Sequence, residues 1–332
     1  MHKKTACPVF LMVSLILFVL TACGKETFFP SEGGAKDSEY QTQSVSEAAP
    51  AAEDSEEHTN EPASKSSPDV SAEAAVISPE GSMLKTRFLP PEGYARVPAA
   101  EDSLTEFLRN YPLKEEKSPV LLYDGSRKRN QNAHAAVFAL PIENEDLQQC
   151  ADSILRVYAE YFWETGQYEK IAFHFVNGFL AEYTKWRDGY RIAVNGNDAA
   201  WEKTASYEDS YEAFVAYLRM VFAYAGTLSM ESEAEAIGLD ELTAGDVFLQ
   251  GGSPGHVVLV VDVCENAEGK KAFLLGQGYM PAQEFHVLKN PAHTDDPWYY
   301  EEEAAYPFVT PEYTFAEGSL KRLVYGKEES LE

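Results

Sequence analysis

Cys150 is the residue of this 332-residue chain whose setting best suits nucleophilic chemistry. Helical spacing of apolar residues predicts a helix from 146 to about 165, so Cys150 falls in its first turns. The positive end of the helix dipole there lowers the pKa of a thiol and favours the thiolate. The preceding Gln148 and Gln149 carry amide N–H groups that can donate to an oxyanion on a substrate carbonyl. These residues predict covalent attack on an amide.

A nucleophilic thiol needs a base, and His256 is the best candidate because it begins the most hydrophobic strand of the chain. If the hairpin after this strand turns about residues 267–268, His256 pairs near Tyr279. Gln277 is then its diagonal neighbour on the same face and is predicted to orient the imidazole. Asp262 is excluded from that role, since six residues of strand put it roughly 20 Å from His256.

Cys150 also has two structural interpretations, and both remain open. Free cysteines are among the most frequently buried residues, so Cys150 can be a core residue without chemistry. A disulfide to Cys264 is the second interpretation, and it is chemically allowed outside the cytoplasm. Cys264 lies roughly 26 Å along the strand from His256. Cys150 therefore cannot serve both residues, and His256 itself can be an ordinary core histidine.

Metal and cofactor motifs are absent from the sequence. The candidate histidines show no metal-ligand spacing, and neither Cys-x-x-Cys nor His-Glu-x-x-His occurs. The sequence therefore predicts no cofactor and no metal. The histidines concerned are His134, His174, His286 and His293.

The elements that must position the candidate residues follow from hydrophobic periodicity. A second long helix is predicted at 207–225, ahead of strands at 246–249, 256–264 and 272–277. Helices precede paired strands, which favours an α+β fold with a helix packed on an antiparallel sheet. Shorter elements are predicted as a helix at 103–111 with Ser103 as its N-cap, and strands at 120–123, 135–142, 171–176 and 191–194.

The N-terminal residues predict export and lipid anchoring. A basic start at residues 2–4 precedes an apolar run at 9–20, which is shorter than the about 20 residues that cross a bilayer. Residues 20–24 (LTACG) resemble the bacterial lipobox. That resemblance implies lipidation of Cys23, a membrane as partner through that lipid, and an extracytoplasmic location. The alternative is an ordinary secretory signal with an incidental cysteine.

The sequence divides into a signal peptide at 1–22, the lipidated cysteine with a linker at 23–83, and one globular domain at 84–332. The linker is rich in Ser, Glu, Ala and Pro, so it cannot bury enough apolar area to offset chain entropy. We therefore expect a disordered acidic stalk. The formal net charge of -27 offers nothing to neutralise phosphates, which argues against nucleic acid as a partner.

Residues 245–248 (GDVF) and 254–260 (PGHVVLV) resemble the Gly-Asp strand and the following His-Val strand of the NlpC/P60 and related papain-like amidases. The resemblance implies a papain-like fold in which a cysteine at a helix N-terminus attacks an amide. A histidine on the facing sheet is the base, and a third polar residue orients it. The order of Cys150 before His256 agrees. The helix closely preceding the Gly-Asp strand departs from the family, because Tyr211 occupies the place of its nucleophile.

Residues 84–326 as a whole resemble a bacterial lipoprotein family, domain of unknown function 4846. The resemblance is carried by residues 146–152 (DLQQCAD), 251–256 (GGSPGH), 279–283 (YMPAQ) and 288–291 (LKNP). It implies no activity. The N-terminal segment and the resemblance to the amidases together predict a membrane-anchored envelope lipoprotein that acts as a cysteine-dependent amidase or peptidase on cell-wall or peptide amides. The alternative is a non-catalytic binding or scaffold lipoprotein with a degenerate papain-like fold.

Overall fold

A mostly antiparallel sheet forms the centre of the computed structural model, which describes residues 75–326. In chain order the strands are β1 (Tyr94–Arg96), β2 (His134–Val137), β3 (Ala172–His174), β4 (Leu180–Glu182), β5 (Tyr190–Asn195), β6 (Asp198–Lys203), β7 (Ala234–Ala236), β8 (Val247–Gln250), β9 (His256–Asn266), β10 (Lys271–Gln277), β11 (His286–Leu288), β12 (Tyr299–Tyr300), β13 (Phe308–Val309), β14 (Thr314–Phe315) and β15 (Leu320–Leu323). The central sheet runs in the order β2-β11-β10-β9-β8-β15-β7, with β1 added to β9 and β12 to β10. The pairs β3–β4, β5–β6 and β13–β14 are separate hairpins.

The helices flank this sheet. They are α1 (Leu84–Arg87), α2 (Leu104–Asn110), α3 (Cys150–Glu164), α4 (Tyr183–Arg187), α5 (Tyr211–Tyr224) and α6 (Thr227–Ser232). The predicted cap of α2 is confirmed, because the Ser103 side chain accepts from the Glu106 backbone N–H at 3.3 Å. Such a bond satisfies one of the free N–H groups at a helix start. The predicted combination of helices with an antiparallel sheet is confirmed.

The hairpin of β9 and β10 lies at the centre of the sheet, and both strands occur where the sequence predicts them. Their pairing runs from Glu265 opposite Lys271 to Leu259 opposite Gly276, with a bulge between Leu274 and Leu275. A run of buried β-branched valines in β9 explains the strand, since such side chains pack well on a pleated surface. The hairpin fixes which residues of its two strands face each other.

Alternate residues of β9 enter two different cores. Val257 and Leu259 pack in the same cluster as α3, on one face of the sheet, and Cys150 belongs to that cluster. Val258 and Val260 pack on the other face with Phe315. Because side chains alternate along a strand, His256 shares the second face with Val258. The candidate base and the body of α3 therefore belong to opposite sides of β9.

Three sequence predictions about the elements need correction. Helix α3 begins at Cys150, four residues later than predicted, because the carboxylate of Asp146 binds the backbone N–H of Ala282 outside the helix. No strand covers residues 120–123; Leu121 and Leu122 make only isolated bridges, to Arg127 and Gln283. The other short predicted strands occur with shifted ends.

The packed chain also extends further back than the predicted domain start at Leu84. Ile77 bridges to Phe88, and Met83 bridges to Pro112. The predicted signal peptide (1–22), the lipidation site Cys23 and the predicted linker up to residue 74 lie outside the described residues. Within residues 75–326, no helix has the length and apolar character needed to cross a bilayer.

Candidate active site

The first turn of α3 brings Cys150 against the start of β9. Gln149 is the N-cap residue of the helix, and its backbone N–H donates to the Asp152 carboxylate at 3.1 Å. Backbone N–H groups of Ala151 and Val257 act on the sulfur of Cys150 and lower its pKa. Val257 directly follows His256 in the chain. The structure thus places the sulfur beside the backbone next to the candidate base.

The thiol of Cys150 is nevertheless held in its neutral form. It is 8% exposed, and burial raises its pKa to about 11, with the charge of Asp152 acting in the same direction. The backbone N–H groups oppose this shift without cancelling it. The predicted lowering of the pKa by the helix dipole is therefore wrong in its net direction, because desolvation of the thiolate is the larger effect.

His256 and Gln277 form the hydrogen bond that strand geometry predicts. The His256 Nε2 lies 2.8 Å from the Gln277 Oε1, and both side chains are buried. An amide oxygen only accepts, so the proton of the neutral ring is on Nε2. The Nδ1 atom is then a lone-pair acceptor, and no hydrogen bond within residues 75–326 occupies it. Burial lowers the pKa of His256 to about 4, so the ring is neutral at pH 7.

Glu312 fixes which way the Gln277 amide points. The Gln277 Nε2 donates to Glu312 Oε2 at 2.7 Å. Glu312 also accepts from Asn130 Nδ2 at 3.1 Å and pairs with the buried Lys128 ammonium. A carboxylate only accepts, so the amide nitrogen must face Glu312 and the amide oxygen must face His256. Glu312 thus fixes the Gln277 amide, and Gln277 in turn fixes the orientation of His256.

His286 completes this buried polar network. Its Nδ1 lies 2.8 Å from the carbonyl of Glu284, which requires a proton on Nδ1. Its Nε2 is 3.4 Å from both Lys128 Nζ and Gln277 Nε2, which are donors. Burial holds the pKa of His286 well below its usual range, with the nearby charge of Lys128 as the second cause. The ring is therefore neutral, consistent with its acceptor role.

The two predicted oxyanion donors have different surroundings. The side chain of Gln148 is buried, with Nε2 bonded to the carbonyl of Pro141 at 3.1 Å and Oε1 bonded to Arg156 at 3.2 Å. It is consequently not free to bind a substrate. Gln149 lines an open cavity, where its Nε2 donates to Asp146 at 3.1 Å. Of the pair, Gln149 keeps access to a ligand.

A cavity of about 360 Å³ lies at the first turn of α3. Its lining includes Cys150, Asp152, Thr227, Met280 and the loop at 252–255. The end of β10 passes so close that a Cβ on Gly278 would lie 2.1 Å from the Ser153 hydroxyl. This approach requires glycine, and it presses the strand that carries Gln277 against the helix start that carries Cys150.

Within the described residues, no hydrogen bond joins the Cys150 sulfur to the His256 ring. The ring instead packs against Tyr279, Tyr313 and Phe315, with the Tyr279 centroid at 4.8 Å. The structure therefore brings His256 and Gln277 together and puts Cys150 beside the adjoining backbone. Direct contact between the thiol and the imidazole stays a prediction.

Cys264 and Asp262 are buried residues outside the candidate site. Cys264 and Cys150 are both free cysteines, so no disulfide joins them. Asp262 is fully buried and paired at 2.7 Å with both Arg96 and Arg109. Sequence reasoning sets Asp262 aside as an orienter, and its use in this ion pair agrees.

The sequence does not predict a functional role for three residues of the site. Glu312 and Lys128 come from distant parts of the chain, and no local pattern connects them to Gln277. Asp152 is interpretable from sequence only as a first-turn partner of the helix dipole. Its burial raises its pKa to about 8, and its Oδ1 is buried without a hydrogen-bond partner. Among residues 75–326, no cluster of His, Cys, Asp and Glu is arranged to hold a metal ion.

Comparison with known proteins gives a family and no activity. Residues 84–322 match a family model described as domain of unknown function (4846). No curated protein and no solved structure matches the chain with significance.

Proposed function

The chain belongs to the family described as domain of unknown function 4846, whose model covers more than half of its 332 residues, and we propose that it is a cysteine-dependent amidase or peptidase with a papain-like fold. Cys150 is the nucleophile, His256 the base, Gln277 the residue that orients the base, and Gln149 an oxyanion donor. The substrates are cell-wall or peptide amides.

One observation carries this proposal: the buried 2.8 Å hydrogen bond between His256 Nε2 and Gln277 Oε1. It puts the proton on Nε2 and leaves the Nδ1 lone pair as the only proton acceptor of the ring. A base whose tautomer is fixed by a side-chain acceptor is the arrangement that activates a thiol or hydroxyl nucleophile. The hydrogen bond from Gln277 to Glu312 opposes rotation of the amide and so keeps His256 in this tautomer.

The chemical steps follow from these roles. Nδ1 of His256 takes the proton of the Cys150 thiol as the sulfur attacks the carbonyl carbon and forms a C–S bond. The amine leaves with that proton, and water then hydrolyses the thioester, restoring the thiol and releasing a carboxylic acid that gives its proton to solvent. The developing oxyanion accepts from the α3 amide groups and from Gln149.

The mechanism requires a change from the resting arrangement. A thiol of pKa about 11 and an imidazole of pKa about 4 that make no direct contact both remain neutral at pH 7. Substrate must therefore bring the sulfur and Nδ1 within the about 3 to 4 Å needed for proton transfer. The loop at 252–255, which lines the cavity together with Cys150, is the segment whose movement would open that path.

A second candidate function is a binding or scaffold protein that keeps the fold without the reaction. The raised pKa and the 8% exposure of Cys150 favour it, because reactive cysteines ordinarily have a lowered pKa and an accessible sulfur. In that case the 360 Å³ cavity holds a ligand that is not turned over.

Incubation of the full chain with peptidoglycan fragments and a peptide mixture, followed by mass spectrometry of the products, tests the proposal. We expect amide cleavage that falls by at least about 100-fold in Cys150→Ser and in His256→Ala. Cys264→Ser is the matched control, since it removes the other buried free thiol, and its activity is expected to match the parent. Activity that survives in Cys150→Ser would refute the mechanism.

Alkylation separates the two candidate functions without a known substrate. Iodoacetamide labelling of Cys150 and Cys264 is followed by mass spectrometry from pH 6 to pH 11. If His256 serves as base, His256→Ala changes the pH dependence of Cys150 labelling and leaves that of Cys264 unchanged. Identical Cys150 profiles in the parent and His256→Ala would favour the binding role.

We also propose that the protein is exported and held at a membrane by lipid on Cys23. The support is the order of basic start, short apolar run and lipobox-like LTACG in residues 2–24. Detergent phase partitioning of the full chain tests it. The parent is expected in the detergent phase and Cys23→Ala in the aqueous phase; equal partitioning would refute lipid anchoring.

A further inference from the structure

A second cavity, of about 460 Å³, lies near strand β2 and is rich in cationic side chains. Four cationic residues line it, against three carboxylates, on a chain whose formal net charge is -27. The cations are Arg87, Lys117, Arg127 and Lys289, and the carboxylates are Glu116, Asp295 and Asp296. Four cations and three carboxylates give this lining a formal charge of +1, on a chain that is acidic as a whole.

Arg87 is a buried cation without a carboxylate partner. It is 3% exposed, and its guanidinium donates only to carbonyl oxygens, to Gly81 at 2.7 Å and Lys114 at 3.3 Å. Its Nη1 makes no hydrogen bond within the described residues. Burying a charge is costly unless an opposite charge compensates it. Burial lowers the pKa of Arg87, and the charge of Glu116 on the same cavity wall opposes that shift without forming an ion pair. Arg87 therefore adds a positive charge to this cavity that is only partly compensated.

Arg127 and Lys289 line the same cavity and are likewise unpaired. Within residues 75–326, neither side chain takes part in an ion pair or a hydrogen bond. Most other cations of the domain are engaged, as Lys128 is with Glu312. A guanidinium fork and an ammonium facing one space are the groups that bind carboxylate and phosphate.

Two of the three carboxylates of the cavity, Asp296 and Glu116, have partners. Asp296 accepts from the Trp298 backbone N–H at 2.9 Å and from the Tyr300 hydroxyl at 2.5 Å. Glu116 pairs with the adjacent Lys117 at 3.2 Å. Asp295 has no hydrogen bond or ion pair within residues 75–326, so its charge opposes an anion in the cavity. Arg127 and Lys289 are the two cations that have no partner and can receive a ligand.

His134 adds an acceptor to this cationic wall. Its Nε2 lies 3.1 Å from the carbonyl of Ser118, so Nε2 carries the proton. Its Nδ1 is buried and has no partner. A ligand hydroxyl would satisfy it, and both hydrogen phosphate and hydroxy acids carry one.

We propose that this cavity binds a small anion that carries a phosphate or carboxylate group together with a hydroxyl donor. Arg127 and Lys289 hold the anionic oxygens, Arg87 supplies the buried charge, and His134 accepts from the hydroxyl. The site is separate from the cavity at Cys150 and does not depend on the proposed hydrolase activity.

Isothermal titration calorimetry of the full chain in detergent, with inorganic phosphate and with citrate, tests this site. Sodium chloride at matched ionic strength serves as the blank. We expect saturable binding of at least one of the two anions with a Kd below about 10 mM. The double variant Arg127→Ala/Lys289→Ala is expected to weaken that binding at least tenfold.

The control variant removes the same charges elsewhere. Arg129 and Lys170 are exposed, lie outside the cavity and are also unpaired in the described part of the chain. Arg129→Ala/Lys170→Ala is expected to bind within twofold of the parent. The proposal is overturned if neither anion binds, or if both double variants lose affinity equally, since that result means general electrostatic attraction.

Discussion

Replacing Asp152 by Asn tests the electrostatics of the candidate site directly. The Asp152 side chain is 6% exposed, with one oxygen bonded to the Gln149 backbone at 3.1 Å and the other without a partner. Asn keeps the shape and an acceptor for that backbone N–H but cannot ionise. The variant therefore removes one titration and little else.

The size of the effect follows from the pKa. Burial moves the pKa of Asp152 from 3.8 to about 8, so the folded state binds the proton more tightly than the unfolded chain. The stabilisation from this proton is fully present below pH 4 and is lost as the pH rises through 8. At about 1.4 kcal/mol for each pKa unit, the loss between pH 5 and pH 8 is about 4 kcal/mol.

Urea unfolding followed by tryptophan fluorescence measures this loss. The free energy of unfolding of Asp152→Asn, minus that of the parent, is expected to rise by about 4 kcal/mol from pH 5 to pH 8. Glu212→Gln, at an exposed first-turn position of α5, is the control and is expected to follow the parent at both pH values. A difference that stays constant from pH 5 to pH 8 would show that Asp152 is not desolvated as the structure requires.

Three further predictions concern the scaffold of the site. Asp262→Ala leaves the buried Arg109 and the half-buried Arg96 without their carboxylate and is expected to cost about 3 to 5 kcal/mol of unfolding free energy in urea titrations. Gly278→Ala puts a Cβ 2.1 Å from the Ser153 hydroxyl, so a lower Tm is expected, at a cost of about 1 to 3 kcal/mol, whereas Gly226→Ala meets nothing within 4 Å and serves as control. Glu312→Ala frees the Gln277 amide to rotate, so ¹⁵N NMR is expected to show His256 as a mixture of tautomers instead of the Nε2–H form alone; an unchanged spectrum would remove Glu312 from its positioning role.

The sequence predicts the hairpin of the site well because its signals are local. The valine run of β9 and the polar turn after it define two strands. A turn about residues 267–268 gives the wrong pairing next to the turn, where Glu265 lies opposite Lys271, but the bulge between Leu274 and Leu275 restores the predicted register near His256 and Gln277. The start of α3 is predicted less well. Asp146 has the residue type of an N-cap, but it binds the Ala282 backbone from a distant part of the chain instead.

The electrostatic state of Cys150 could not be predicted from sequence, because it depends on residues that meet only in the fold. A helix N-terminus favours a thiolate, and sequence shows that much. The cost of burial comes from the sheet and from the loop at 252–255, which are about 100 residues away in the chain. The same reason hides Glu312, whose contact with Gln277 spans 35 residues.

Asp152 bears on whether this region is a functional site. A buried carboxyl with an unpartnered oxygen lowers the stability of the fold at neutral pH, and an apolar or amide side chain would avoid that cost. Helix capping does not require it, since Asn or Ser accepts the same backbone N–H. Residues that lower the stability of a fold without a structural need are concentrated at binding and catalytic sites. A carboxyl of pKa about 8, two residues from a cysteine and on the wall of the same cavity, therefore supports the proposal that this cavity is a functional site, since the folding of α3 does not require it.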